Sequence, residues 1–150
     1  RMDIPNDKTN SFGFHQDSAY FDYPEYVYNI NLENNITCWA PMTDLDVNMG
    51  PAKLCAKSHK SGFLHDYKKL PMTDPISSNI TEDFDKVDLE MDVGDVAFFT
   101  GTLIHSSGLN ISSNIRFTFI TRYYRMVTND FYLHPDVGEK IKGNNGQYNS

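Results

Sequence analysis

Apolar and polar positions alternate with a period of two wherever this chain shows a regular pattern, the signature of half-buried β-strands. In "YVYNINL" (26–32), Tyr26, Tyr28, Ile30 and Leu32 take one face and Val27, Asn29 and Asn31 the other, which predicts a strand. "NITCWAPM" (35–42) is rich in strand formers and is closed by the turn-prone "TDLDVNMGP". "AKLCAK" (52–57) predicts a short strand, with a loop at "SHKSG" after it. Residues 65–86, "HDYKKLPMTDPISSNITEDFDK", are polar, hold two prolines and keep no period, so a long surface excursion is expected there. "VDLEMDVGDVAFFTG" (87–101) predicts two short strands about a turn at Gly94, and "NIRFTFITRYYRM" (114–126) carries the strongest strand signal of all. From about residue 128 the chain turns polar and ends in "KGNNGQYNS", expected to be a frayed tail. Many short strands punctuated by Gly, Pro and Asn, with almost no helix signal and no repeat, predict an all-β sandwich or double-sheet barrel. No boundary divides it, so one domain is expected over 1–150, with its core at about 12–125.

Composition narrows the partners. A chain of 150 residues has room for one domain with a real core and not for two. The net charge of −7, with 13 scattered Lys and Arg, argues against a nucleic-acid footprint or an anionic membrane surface and favours a small molecule or another protein. Two cysteines, Cys38 and Cys55, do not make a disulfide framework, so a reducing, cytoplasmic setting is expected. No apolar run reaches the roughly 18 residues of a spanning helix. The chain opens at Arg1 rather than Met, so a preceding piece is expected. Sequons at Asn35, Asn79 and Asn110 are what chance supplies in a chain with 14 Asn and carry no weight. Oligomeric state stays open.

The chemistry starts at "GFHQDSAYFDY" (13–23), where His15 and Asp17 stand two residues apart among aromatics. In a strand, i and i+2 share a face, so one imidazole and one carboxylate converge and Gln16 turns away. That is two thirds of the facial triad of non-haem Fe(II) oxygenases; a surface ion pair is the plainer account of an isolated His-x-Asp. His134 and Asp136 repeat the spacing, but Pro135 spoils a central strand and no histidine follows. His59 and His65 fall in loops near lysines, where a solvated role is the default. His105 ends the apolar run "DVAFFTGTLI" and opens "HSSGLNISSN", the position of a ligand at a barrel mouth. In the strand beyond it, alternation places Arg116, Thr118 and Ile120 on one face and Phe117, Phe119 and Thr121 on the other. If the Arg116 face points inward, its guanidinium needs an anion, and a ligand carboxylate would answer. At a strand edge it would instead reach water.

In the order "HQDSAYF", "CWAPMTDLDVNMGPAKLCAKSHKSG" and "GDVAFFTGTLIHSSGLNISSNIRFTFITRYY", covering about residues 12–125, the chain resembles the phytanoyl-CoA dioxygenase family of Fe(II)/2-oxoglutarate oxygenases. The resemblance implies a double-stranded β-helix, the jelly-roll or cupin-like form of two facing sheets. It implies His15, Asp17 and His105 as catalytic metal ligands. Arg116, eleven residues after His105, would hold the far carboxylate of 2-oxoglutarate, assisted by Ser107 and with Trp39 in the cosubstrate-binding set. In the middle motif Trp39, Asn48, Gly50, Ser58, His59 and Lys60 match, while Ala56 and Lys57 replace the usual Pro-Gly. The N-terminal helical portion carried by family members is absent from this sequence. The implied cofactors are Fe(II), 2-oxoglutarate and dioxygen. The implied reaction hydroxylates a C–H bond, an Asp rather than a small residue at 17 favouring this over halogenation, with decarboxylation of 2-oxoglutarate to succinate. Family substrates are acyl thioesters, amino-acid derivatives and natural products, selected by variable loops, here 18–25 and 63–86. Phe12, Phe14, Tyr20 and Tyr23 are candidate pocket walls. A jelly-roll binding domain whose triad holds Zn(II), or no metal, is the competing reading, because two imidazoles and a carboxylate also suit zinc.

Overall fold

The computed structural model describes residues 1–21, 35–64 and 76–124. The strand expected at 26–32, the 65–75 part of the polar excursion, the 128–150 tail and the His134/Asp136 pair lie outside the described residues, as does Tyr23. Seven strands are described: β1 Met2–Asp3, β2 Asn35–Pro41, β3 Ala52–Cys55, β4 Lys86–Asp88, β5 Ala97–Thr100, β6 His105–Ser107 and β7 Arg116–Tyr124. They form two antiparallel sheets, one in the order β1-β7-β2-β5 and the other β4-β3-β6. His15 adds to the second sheet through an isolated antiparallel bridge to His105. The chain thus crosses between the sheets after β2, β4, β5 and β6, the back-and-forth of the jelly-roll form expected from the resemblance. Among the described residues no helix is long and apolar enough to cross a membrane.

Local chemistry accounts for where the strands stop. Asp46 caps a short 3-10 turn at Val47–Met49 by accepting from the amides of Asn48 and Met49. Gly50 ends that turn at φ +66°, and a Cβ there would come within 2.5 Å of the Gly108 carbonyl oxygen, so only glycine suits both the dihedral and the close approach. The two strands expected in 87–101 appear as β4 and β5, with Gly94 at φ +106° between them and Met91 bridging Leu45. Two expectations are corrected. "GFHQDS" is not a strand: after the His15 bridge the chain coils into a 3-10 turn at Asp17–Phe21. Nor does His105 end the preceding strand. β5 stops at Thr100, Leu103 N–H bonds back to Thr100 O, and His105 opens β6 on the other sheet.

The register of β2 against its neighbours sorts side chains into two rows. Thr37 pairs with Arg122 and Phe99, and Trp39 with Ile120 and Ala97, on the face toward the other sheet. Cys38 pairs with Thr121 and Phe98, and Ala40 with Phe119, on the outer face. Between the sheets Trp39, Leu45, Met49, Ala52, Met91, Phe99 and Leu103 form the main core, and Cys55, Ile76 and Ile104 a second cluster. The outer face is unusually apolar: Ile36, Phe98, Phe117, Phe119 and Tyr123 are all exposed, Phe98 by 66%. Gln16, expected to turn away from the site, is fully buried as a strut. Its amide donates to Gly62 O and Thr102 O and accepts from Leu64 N–H. Asn35 and Asn110 are buried too, Asn110 donating to Asp3 O and Asn114 O. Cys38 and Cys55 are free thiols, both buried.

Candidate metal centre

The His15 bridge brings one imidazole to the start of β6, where the second, His105, emerges beside it with ring centroids 4.4 Å apart. The 3-10 turn that opens at Asp17 then swings its carboxylate under both rings. Each Nε2 lies 3.8 Å from Asp17 Oδ1, and one ligand atom from each of the three residues falls within 4.8 Å of the others. Convergence is therefore achieved by a bridge followed by a turn, not by two positions of one strand. Both rings are oriented by their own backbone: His15 Nδ1 lies 2.8 Å from Gly13 O and His105 Nδ1 2.9 Å from Leu103 O. A carbonyl only accepts, so each Nδ1 carries the hydrogen and each Nε2 presents its lone pair to the centre.

The electrostatics favour the metal-binding protonation state. Burial pushes His15 down to about 4, with nearby His105 acting in the same direction, and burial also lowers His105. Both rings are neutral at pH 7. Burial alone would raise the Asp17 carboxyl, but His105, Arg122 and Thr37 together outweigh it and hold it below the ordinary value. Arg122 Nη2 donates to Asp17 Oδ1 at 2.7 Å and Thr37 Oγ1 to Oδ2 at 2.6 Å. Two neutral imidazoles and a clamped carboxylate are a donor set that fits a divalent iron, which His15, Asp17 and His105 would hold.

The triad opens on a cavity of about 190 Å³ between the sheets. Phe12, Trp39, Phe99 and Ile120 form its apolar walls, with Thr37, Ser107, Arg1 and Arg122 as polar lining. Phe12, Trp39 and Ser107 are thus brought to the site. Phe14 is not: it packs against the second core cluster with Cys55, Ile76 and Ile104, because the chain has already turned toward the His15 bridge. Tyr20 lies in the 3-10 turn, its side chain outside the described residues. Arg116 is 1% exposed and shares the inner face of β7 with Ile120 and Arg122, yet it does not line the cavity. Its Nε and Nη2 bind Asp3 Oδ2 at 3.1 and 3.0 Å, and Nη1 donates to Met49 O at 2.9 Å. The anion it was expected to need is supplied, in part, by the protein. Asp3 Oδ1 also takes Arg1, whose Nη2 reaches Ser107 Oγ at 3.1 Å in the cavity wall.

Arg122, Thr37, Arg1 and Asp3 escaped the sequence reading. For Arg122 the signal was present: the alternation that places Arg116 and Ile120 inward places residue 122 inward as well. Thr37, two residues before Trp39, follows by the same rule. Nothing local marks Asp3, whose partner lies 113 residues away.

Comparison with known proteins finds relatives in sequence and in fold. Phytanoyl-CoA dioxygenase, peroxisomal, of Bos taurus is 34% identical over 115 residues, which are 73% of this chain and 32% of the relative. The Mus musculus protein of the same name is 32% identical over the same shares. The chain spans about a third of the length of these relatives. Among solved structures, the non-heme alpha ketoglutarate dependent epimerase SnoN from nogalamycin biosynthesis superposes with a TM-score of 0.62 at 19% identity, over 82% of this chain and 45% of SnoN. EctD from S. alaskensis, solved with 2-oxoglutarate and 5-hydroxyectoine, gives 0.63 at 15% identity, over 83% of this chain and 41% of EctD. At those identities the likeness is one of fold. The family model for phytanoyl-CoA dioxygenase (PhyH) matches residues 3–118, a stretch that contains His15, Asp17, His105 and Arg116, and the chain belongs to that family.

Proposed function

We propose that this chain is the catalytic β-core of an Fe(II)- and 2-oxoglutarate-dependent dioxygenase that hydroxylates a C–H bond of a small organic molecule. The observation that carries the reading is the convergence of two Nε2 lone pairs and the Asp17 carboxylate on one point of the cavity wall. When bound, iron and 2-oxoglutarate together activate dioxygen for insertion into a C–H bond, 2-oxoglutarate leaving as succinate and carbon dioxide. The protein's own share is ligation and orientation. The Gly13 and Leu103 carbonyls keep both imidazoles facing inward, Arg122 and Thr37 each hold one oxygen of the Asp17 carboxylate, and Phe12, Trp39, Phe99 and Ile120 exclude water. Arg1, Asp3 and Arg116 form a cluster with two guanidiniums and one carboxylate, so it retains a net positive charge beside Ser107. That charge is the proposed anchor for the far carboxylate of 2-oxoglutarate, with Arg116 held ready by Asp3.

The test is anaerobic addition of Fe(II) and 2-oxoglutarate. A weak visible charge-transfer band should appear, and succinate should follow admission of air; neither appearing sinks the reading. The names of the curated relatives make an acyl thioester one candidate substrate; an amino-acid derivative or natural product is equally within the proposal. One observation favours a second reading, a jelly-roll binding domain that holds Zn(II) or no metal: Arg116 is already ion-paired with Asp3. Unchanged 2-oxoglutarate affinity in Arg116→Ala would favour it.

A further inference from the structure

Arg122 meets the triad at the oxygen nearest both imidazoles. Its Nη2 donates at 2.7 Å to Asp17 Oδ1, and that oxygen lies 3.8 Å from the Nε2 of each histidine. Thr37 takes the other carboxylate oxygen. The division follows from register. Thr37 of β2 and Arg122 of β7 are paired across the sheet, so one row of side chains brings a neutral donor to one oxygen and a cation to the other. The Asp17 side chain is 1% exposed and the cavity beside it is walled by Phe12, Trp39, Phe99 and Ile120, so charges there are weakly screened. His15, Asp17 and His105 would offer an iron two neutral imidazoles and one carboxylate. An anionic ligand by itself favours the ferric over the ferrous form, because the higher charge gains more from it. Arg122 opposes that preference in two ways. Its N–H draws electron density from the oxygen that faces the metal position, and its positive charge disfavours a trivalent ion more than a divalent one. Whatever else the guanidinium contacts is common to the two oxidation states, so the bias comes from the presence of the charge and not from those contacts.

We propose that Arg122 is a positioning residue that sets the redox poise of the site, acting through Asp17 Oδ1 to keep a bound iron ferrous. The inference rests on the Fe(II)/2-oxoglutarate reading and adds a control of oxidation state to that same site. The test loads the full chain with Fe(II) under anaerobic conditions and reads its one-electron potential by mediated titration, following the ferric paramagnetic resonance signal. Arg122→Gln should lower the potential, the preference for Fe(III) over Fe(II) rising roughly tenfold or more, and tenfold is about 59 mV for one electron. Arg122→Met, also uncharged, should do the same. Arg122→Lys keeps the charge and should stay nearer the parent than either. Thr37→Val removes a donor but no charge, so it should weaken Fe(II) and Fe(III) binding together and move the potential less than Arg122→Gln does. The proposal is overturned if the potential of the neutral variants is unchanged or raised, or if Arg122→Lys shifts it as far as Arg122→Gln, which would make hydrogen-bond geometry rather than charge the cause. It is equally overturned if both neutral variants lose the parent's far-UV spectrum or their Fe(II) binding, which would make Arg122 a structural residue. The visible band of the parent chain with Fe(II) and 2-oxoglutarate is recorded separately. A band with unshifted variant potentials overturns this inference alone, whereas no band removes the Fe(II)/2-oxoglutarate reading and this inference with it.

Discussion

Thr37 has one task at the metal centre, to hold Asp17 Oδ2 so that Oδ1 faces the two imidazoles. Thr37→Val keeps the shape of the side chain and removes the donor. Its Co(II) affinity should fall by roughly tenfold to a hundredfold, measured by competition with a chromophoric chelator, with the far-UV spectrum unchanged. The histidines predict a pH dependence in the metal-free, EDTA-treated chain. His15 titrates near 6.5 when unfolded and about 4 when folded, so between those values the unfolded state binds the extra proton. Stability is complete above about 6.5 and is lost as pH falls toward 4, by up to about 3 kcal/mol from this residue. His105 acts in the same direction, and the lowered Asp17 carboxyl removes more stability at still lower pH. Urea midpoints at pH 7 and pH 5 check it, and an equal or higher midpoint at pH 5 would refute it. At this scale the triad was readable, since ligand chemistry restricts the residue types to a few. What surrounds it was not: Phe14 and Phe12 look alike in sequence, and only the turn toward the His15 bridge sends one to the core and the other to the cavity.

β1 is only two residues long, but its backbone pairs Asp3 directly with Arg116 of β7. Asp3→Ala leaves Arg116 and Arg1 without their shared carboxylate in a buried setting. The cost should be on the order of 3 to 5 kcal/mol, read as a lowered denaturation midpoint, with Asp3→Asn intermediate. Strands β2, β3 and β7 were legible because their alternation is strong and their ends carry turn residues. The segment around His15 was misread as a strand because His-x-Asp has the right period. A single bridge plus a 3-10 turn produces the same convergence, and local sequence does not distinguish the two. The break after Thr100 was hidden inside the continuous apolar run "DVAFFTGTLI". At the break Gly101 packs against Asn35, where a Cβ would lie 1.7 Å from Asn35 Oδ1, a contact between segments far apart in the chain.

On the whole molecule, the sheet β1-β7-β2-β5 shows two faces of opposite use. Inward it supplies Thr37, Trp39, Ile120 and Arg122 to the cavity; outward it exposes Ile36, Phe98, Phe117, Phe119 and Tyr123. Large apolar side chains exposed together on one face favour dye binding and self-association. The 150-residue chain on its own should therefore bind anilinonaphthalene sulfonate and scatter light increasingly with concentration. The double variant Phe98→Lys, Phe119→Lys should suppress both while leaving the denaturation midpoint nearly unchanged; persistence of dye binding in that variant would count against the outer face as its source. The jelly-roll order also bears on how the protein is made. His15 and Asp17 leave the ribosome well before His105, and Asp3 waits across 113 residues for Arg116. Closing loops of that length is slow relative to local pairing, so folding in milliseconds to seconds is expected, and the ligands meet only near the end of it. Metal uptake is then a late event in the life of each molecule, one that certifies a completed fold and cannot guide its beginning.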